Sequence, residues 1–588
     1  MHSWFRQAAR ACVVLISGAI AYPAISQHRN PYDDLRNWVD SAVREKLAQV
    51  GRNVSLEGPA ECRMSPTMAV MFAPGTPKEV KDRVMRNVSG DVSLYYQLNA
   101  RWSSTANGGT GAQGNPVTLT WSIVPDGVFI PNGGLGSGSN VLNARLTAQF
   151  GSGTLWKDKL RESFNRWDQV SGLTLVETVD DGAALHGSAG VLNVRGDVRL
   201  SGFDMGTGSG VLAYNYFPNN GDMVINTSWG WNNATNNHRF LRNTVMHEHG
   251  HGFGLNHVDP TNGTKLMEAF LNTNFDGPQD DDIQGCQRHY GDVQENNDTN
   301  ATRRDLGTVT NGQTIEFLSI DDDADDDWSR IFVPPGKVVT ITAQPIGSTY
   351  LQGPQGGGTA NRNSLAIHNL RIRAYRTDGV TLLATSDATA AGVSEVMANL
   401  VPPLDNLVHL NVDCSDAAND IQRYRLILNL AALTEAYVPG AFQVFRGVLV
   451  GGDIASLANS DDNSMVIQKG LTLNPAEAPI QLIVESTART NTVSVLKFKL
   501  EARASFTVLQ QTIELYNFNT NMYETVDQRA ATTTDSVVEV VINSSADRFV
   551  QAGSNLMRAK VSYKPVGPIP GATFQAAFDQ TLWTLTYQ

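Results

Sequence analysis

Residues 244–260 read TVMHEHGHGFGLNHVDP, and within them lies the spacing His247-Glu248-x-x-His251-x-x-Gly254-x-x-His257. Residues four apart on a helix share a face, so His247 and His251 can present two imidazoles to one ion. Glu248 sits one step round the helix, within reach of a water at that ion without displacing it, which is where a general base belongs. Gly252 and Gly254 are expected to stop the helix, because glycine can take the left-handed conformation that reverses the chain. The turn would bring His257 back as a third ligand. Three imidazoles leave a fourth tetrahedral position open, the pattern of a catalytic rather than a structural zinc site. Nitrogen donors suit Zn2+ best among abundant ions.

This pattern resembles the metzincin zinc metallopeptidases, and within them most closely the matrixins. Three further stretches carry the resemblance. Leu266-Met267-Glu268 looks like the tight turn whose methionine lies under the metal in that family. Residues 280–291 (DDDIQGCQRHYG) are similar to the helix that closes the catalytic domain. Gly210 to Tyr214, running on through Phe217-Pro218, is similar to the edge strand and loop beside the cleft. In the family that strand pairs with an extended substrate peptide. The resemblance covers roughly residues 115 to 291 and implies a zinc endopeptidase acting on protein or peptide substrates. Two departures limit it. Val224 stands where many matrixins place a histidine for a second zinc, and Ala269 where some metzincins carry an additional tyrosine ligand. One catalytic zinc is expected, with Ca2+ a further structural candidate without assigned ligands. Matrixin precursors also use a prosegment thiolate as a fourth ligand. Cys62 lies in the corresponding part of the chain, but Glu61-Cys62-Arg63-Met64 does not match the family's switch motif. A disulfide with Cys286 or a buried thiol are the alternatives.

Working outward, residues 116–292 are expected to form one catalytic domain of α+β class, an α/β mixed-sheet layer. Val117, Leu119, Trp121 and Ile123 alternate with polar residues as a half-buried strand. Trp156, Leu160, Phe164 and Trp167 fall on one helical face within 155–170, and Gly172 is expected to end that helix. Strands are expected at Leu173 to Val176, Leu192 to Leu200 and Gly210 to Phe217.

Ahead of this domain, Arg6 and Arg10 precede an apolar run, Ala11 to Ala21, too short to span a bilayer. Small residues follow, with cleavage expected after Ser26 or after Ala21. Residues 1–26 therefore read as a secretory signal peptide, and the protein as exported and extracellular. Residues 27–102 are an N-terminal segment, either a propeptide or an ordinary subdomain, with helices expected at Asp33 to Val50 and Lys78 to Val88. Residues 103–115, rich in Gly, Ser, Thr and Asn, read as a linker or exposed loop.

Beyond Gly291 helical periodicity fades. Short β-branched runs recur at 331–333, 338–341, 370–375, 407–412 and 423–430. A second block has runs at 444–450, 480–484, 494–500, 512–516, 536–542 and 556–561. Two β-sandwich domains are expected, at 293–432 and 440–588. Glu295-Asn296-Asn297-Asp298-Thr299 to Gly307, with Asp325-Asp326-Asp327-Trp328 to Gly336, resembles the bacterial pre-peptidase C-terminal domain. The acidic run Asp321 to Asp327 invites a calcium reading but lacks the glycine of an EF-hand loop, and a solvated acidic turn is its other reading. Trp328 and Trp583 are candidate sugar platforms or core aromatics.

The 588-residue chain carries a formal charge of −13, with 41% apolar and 18% charged residues. It is too long for one core and lacks the basic surface that nucleic acid requires. No stretch after the leader has about 18 uninterrupted apolar residues, so no membrane span is expected in the mature chain. Once Cys12 leaves with the leader, Cys62, Cys286 and Cys414 allow at most one internal disulfide. Besides an endopeptidase, the sequence admits a non-catalytic surface or adhesion protein that binds glycans or cell wall through its β-sandwiches, and a metal-dependent hydrolase of non-peptide substrates. The intact Glu248 favours catalysis.

Overall fold

Val117–Ile123 (β2) lies inside a six-stranded mixed sheet whose strands run in the order β1-β5-β6-β4-β2-β3. The others are Met68–Phe72 (β1), Leu173–Glu177 (β3), Val198–Phe203 (β4), Val211–Tyr216 (β5) and Met223–Asn226 (β6). Strands β3, β2, β4 and β6 are mutually parallel, while β5 runs antiparallel to β6 and β1 antiparallel to β5. Every residue of β4 and β6 is buried, as expected of parallel strands covered on both faces. The strand expected at 192–200 begins only at Val198, because Val191 to Arg195 close a tight turn in which the Arg195 amide donates to the Val191 carbonyl at 3.0 Å.

The computed structural model describes residues 68–85, 98–258, 262–322, 324–353, 358–416, 420–567 and 573–588. The described residues all fall within one compact unit, 65–588. The signal peptide expected at 1–26, the helix expected at 33–50 and Cys62 lie outside the described residues. Among the described residues no helix is long and apolar enough to cross a membrane.

Among the described residues five α-helices accompany the strands: Lys78–Met85 (α1), Leu142–Phe150 (α2), Leu155–Asp168 (α3), Arg239–Gly252 (α4) and Asp280–Tyr290 (α5). The apolar stripe of α3 meets both the sheet and α4. Phe164 stacks on Trp121 at 4.3 Å between centroids, and the Trp167 indole donates to the Met246 carbonyl at 3.1 Å. Trp121, Trp156, Leu160, Phe164 and Trp167 are all essentially inaccessible. Each such side chain contributes about 1.5–3 kcal/mol through burial. Gly172 is not where this helix stops. It is required by a close approach, since a Cβ there would fall under 3.0 Å from the Tyr290 carbonyl oxygen at the end of α5.

Residues 103–115 form an exposed loop with a short ladder pairing Ser104 with Gly109 and Thr105 with Gly108. Arg101 holds it to the domain. Its guanidinium donates to the carbonyls of His289 at 2.7 Å and of Thr110 and Asn115 at 2.6 Å each. Trp102 is buried alongside, and its indole donates to the Gly252 carbonyl at the end of α4 at 2.8 Å.

From Arg304 onward the described elements are strands and short 3-10 turns. A five-stranded and a four-stranded sheet share one apolar core built from Ile331, Ile341, Ile372, Leu410 and Leu426 among others. A six-stranded and a five-stranded sheet share the next, around Leu482, Phe498, Val561 and Trp583. The run expected at 444–450 is two strands, Ala441–Arg446 and Val448–Gly451, divided at Gly447, whose φ is +115°. The last strand, Gln575–Tyr587, was not anticipated from sequence. It pairs with both Val493–Ala504 and Met465–Gln468. Trp583 is a core residue, 1% exposed, whereas Trp328 is partly buried and stacks on Tyr375 at 5.1 Å.

The first of these β regions grips α5. Asp281 accepts from the Tyr350 hydroxyl and the Gln352 amide, each at 2.9 Å. Arg362 donates to Gln284 at 3.1 Å, and Arg423 pairs with Asp280.

Candidate metal centre

Helix α4 presents His247 and His251 on one face, as their spacing requires. It ends at Gly252, with Phe253 as its cap. The reversal falls on Gly254 alone, at φ +107°, where a Cβ would also fall under 3.0 Å from the Ala100 carbonyl oxygen. The chain then returns His257 to the same place. The Nε2 atoms of His251 and His257 lie 3.0 and 3.2 Å from Nε2 of His247. A tetrahedral ion with bonds of ~2.0–2.1 Å to nitrogen would separate its donors by about 3.3 Å, so the cluster fits a zinc-sized ion.

The other ring nitrogens fix the tautomers. His247 Nδ1 lies 2.6 Å from the Leu266 carbonyl oxygen and His251 Nδ1 lies 2.6 Å from that of Leu255. A carbonyl can only accept, so each Nδ1 carries the proton and each Nε2 lone pair is free to coordinate. Burial pushes His247 down to about 4 and His251 well below its ordinary value. Both rings are therefore neutral at pH 7, the form a metal needs.

Glu248 is fully buried, and burial raises its carboxyl well above the ordinary range. The nearby Met71 backbone opposes this rise only in part. Among the described residues, neither carboxylate oxygen has a hydrogen-bond partner.

Met267 underlies the centre. It is 1% exposed, and a Cβ added at Gly250 would fall under 3.0 Å from its sulfur. Asp282 of α5 pins this turn, accepting from the amides of Leu266 at 2.8 Å and Met267 at 3.0 Å. Sequence reasoning picked out the turn and the helix but missed Asp282. Its signal is the third place of an acidic first turn, where a carboxylate also accepts from the Gln279 amide at 2.8 Å.

The strand expected to edge the cleft, β5, is not the sheet edge, because β1 pairs along it. Met68 faces Tyr216, Val70 faces Tyr214 and Met71 faces Ala213. The opposite edge of β1 is also paired: Phe72 donates to the Ala269 carbonyl at 3.0 Å and accepts from the Leu271 amide at 3.1 Å. Cys286 is a free, fully buried thiol, pushed up in pKa by burial, while Cys62 lies outside the described residues.

A second group of candidate ligands follows the catalytic region. Oxygens of Asp292, Glu295 and Asp327 lie within 4.8 Å of one another, as do those of Glu295, Asp298 and Asp325. Burial first, and then mutual repulsion, pushes Glu295 up to about 11 and raises Asp292 and Asp325 well above the carboxylate range. Asn297, 3% exposed, donates to Asp327 at 2.7 Å while its own side-chain oxygen has no partner.

Comparison with known proteins agrees with this geometry. The Matrixin family model matches residues 147–291. The hatching enzyme of Paracentrotus lividus is 32% identical over 157 residues, which is 25% of this chain and 24% of that protein. The chain thus spans about a quarter of the length of the curated relative it matches. The segment containing the three histidines is a matrixin-like metzincin catalytic domain, and that family implies a catalytic zinc. Solved structures give only remote likenesses. A tandem CBM22 domain from Paenibacillus barcinonensis Xyn10C is 11% identical, covering 43% of this chain and 79% of its own, with a TM-score of 0.18. A xylan-binding CBM15 module is 12% identical, covering 26% and 97%, with a TM-score of 0.18.

Proposed function

We propose that the protein is an exported zinc endopeptidase that hydrolyses peptide bonds of protein substrates. In this reading His247, His251 and His257 hold the metal and Glu248 is the general base. The observation that carries it is the convergence of three imidazole Nε2 atoms beside a buried carboxylate. Bound zinc would supply Lewis acidity toward water and a peptide carbonyl. Glu248 takes the proton of the attacking water on a carboxylate oxygen and returns it to the departing amine nitrogen. The Leu266 and Leu255 carbonyls hold the two helical imidazoles in the coordinating tautomer throughout.

The catalytic domain is assigned to 116–292, with β-sandwich domains at 293–432 and 440–588; most of the buried apolar residues group accordingly, while Met71, Ala73 and Trp102 join the first core and Val338 joins the last. Calcium is assigned to the Asp292, Glu295, Asp325 and Asp327 group. Hard oxygen donors suit it, and buried carboxylates without a countercharge are costly. Export follows from the leader read in residues 1–26.

Digestion of casein or gelatin, with and without a zinc chelator, tests the activity. Glu248→Ala is expected to retain one zinc per chain and lose turnover by about 10²–10⁴-fold. Full activity in that variant, or a folded wild-type protein that binds no stoichiometric metal, overturns the reading.

A further inference from the structure

We propose that His368, Cys414 and Asp416 hold a zinc ion at the end of the five-stranded sheet that contains Leu410. This site is separate from the histidine centre and from the acidic group, and it does not depend on the endopeptidase reading.

Strand register brings the three residues together. Leu370–Tyr375 and Leu407–Cys414 are antiparallel neighbours in which Leu370 faces Cys414. Past that rung the Ser415 amide donates to the Asn369 carbonyl at 2.9 Å, and the Asn369 amide donates to an Asp416 carboxylate oxygen at 3.0 Å. Carried two residues on, the same register sets His368 opposite Asp416. Side chains alternate across a strand, so Cys414, Asp416 and His368 belong to one face. It is the face on which Leu370 enters the apolar core, and Cys414 packs at the margin of that core. His368 Nδ1, the Cys414 sulfur and a carboxylate oxygen of Asp416 accordingly lie within 4.8 Å of one another.

The hydrogen bonding of the imidazole points the same way. His368 is 2% exposed, and its Nε2 lies 2.9 Å from the Asp420 carbonyl oxygen. A carbonyl only accepts, so Nε2 carries the proton and Nδ1 keeps its lone pair. Among the described residues Nδ1 has no hydrogen-bond partner, yet an Asp416 oxygen stands 3.4 Å away. Two acceptors thus face each other with no hydrogen between them, an arrangement that is costly for a buried group. A cation answers both. An ion with bonds of about 2.0–2.3 Å spreads tetrahedral donors about 3.3–3.6 Å apart, which the nitrogen and oxygen already match. Imidazole, thiolate and a single carboxylate form a set of mixed softness that suits zinc and not calcium or magnesium. Cys414 is a free thiol and Asp416 is exposed, so the ion enters past Asp416 and water completes its coordination. Asp420, whose carbonyl orients His368, also holds Arg362 through two contacts of 3.0 Å, and Arg362 donates to Gln284 of α5. The ion therefore ties the strand end to the residues that grip α5.

The test uses the full chain, stripped of metal with its thiols kept reduced, and then titrated with Co2+. Cobalt replaces zinc and gives a strong near-ultraviolet band only when a thiolate binds it. The three-histidine centre and the acidic group carry no sulfur, so the band separates this site from both. It is expected in the wild type and absent from Cys414→Ser, which should also retain one zinc fewer per chain after dialysis. Asp416→Ala, made at an exposed side chain, covers the case in which Cys414→Ser fails to fold. It should weaken cobalt binding, read from the band, by at least the roughly 10–100-fold that loss of a supporting group costs. No band in the wild type, a band that survives Cys414→Ser, or equal cobalt affinity in Asp416→Ala each overturns the proposal. The first of these would mean that a second ring proton, not an ion, joins His368 to Asp416. None of these readouts depends on peptidase activity.

Discussion

The sulfur of Met267 lies against the Cα of Gly250, so close that a Cβ at that glycine would stand under 3.0 Å from it. Two segments seventeen residues apart in sequence are thereby fixed in depth beneath the histidines: the last turn of α4 and the turn whose Leu266 carbonyl orients His247.

Gly250→Ala should therefore act on the metal as well as on the fold. An added methyl in a filled interior costs about 1–3 kcal/mol. Relief by moving Met267 would displace the Leu266 carbonyl. Thermal denaturation together with zinc content checks this. A variant with unchanged stability and zinc affinity would mean that the methionine yields without consequence.

Asp282 gives a separable test. Asp282→Ala leaves the Leu266 and Met267 amides buried without acceptors, at about 1–3 kcal/mol. It should weaken zinc binding by about 10–100-fold, as loss of groups that orient a ligand does. Asp282→Asn, which keeps one acceptor oxygen, should fall between. Competition with a zinc-binding dye gives the affinities, and equal affinity in all three proteins would count against the role.

For the acidic group, thermal melts at constant saturating zinc and rising calcium should show a midpoint that climbs with the logarithm of calcium concentration. Asn297→Ala and Asp325→Asn should flatten the climb. Magnesium, which is smaller and keeps its own waters, should substitute poorly. A midpoint indifferent to calcium would mean that these carboxyls are simply protonated.

Asp168, at the end of α3, supplies a pH dependence. Burial raises its carboxyl to about 7, only partly opposed by the hydrogen bond from the Leu175 amide. Between its ordinary value of 3.8 and about 7, the folded state holds a proton that the unfolded state has released. Stability from this group is therefore greatest at low pH and falls as pH rises through that window. Asp168→Asn should remove the slope, so that the two stability curves converge below pH 4 and separate in favour of the variant by pH 7. Parallel curves would refute the assignment.

The metal centre was largely legible in the sequence because its geometry is local. Four residues of helix place His247 beside His251, and one left-handed glycine returns His257. Met267 and the helix at 280–290 were legible by resemblance. What escaped notice depends on distant partners. Nothing around Met68 to Phe72 announces that it will pair with β5, since any apolar β-forming pentapeptide could do so. Arg101 reads as one more surface charge until the carbonyls it gathers are in place. Strand limits escaped for a related reason. Apolar runs mark only the inward-facing residues, whereas ladders such as Val493–Ala504 continue into flanking polar positions that find backbone partners.

The grip of Tyr350, Gln352, Arg362 and Arg423 on α5 has a practical corollary. The helix that steadies the turn below the histidines is finished from outside, by side chains that arrive some sixty to one hundred and forty residues later. Severing the polypeptide just after Gly291 would expose the Asp281 carboxylate and strand Asp280 and Gln284 without their companions. Contiguity along the chain does not confer autonomy here. The segment that carries the three histidines borrows part of its rigidity from the sheets that follow it.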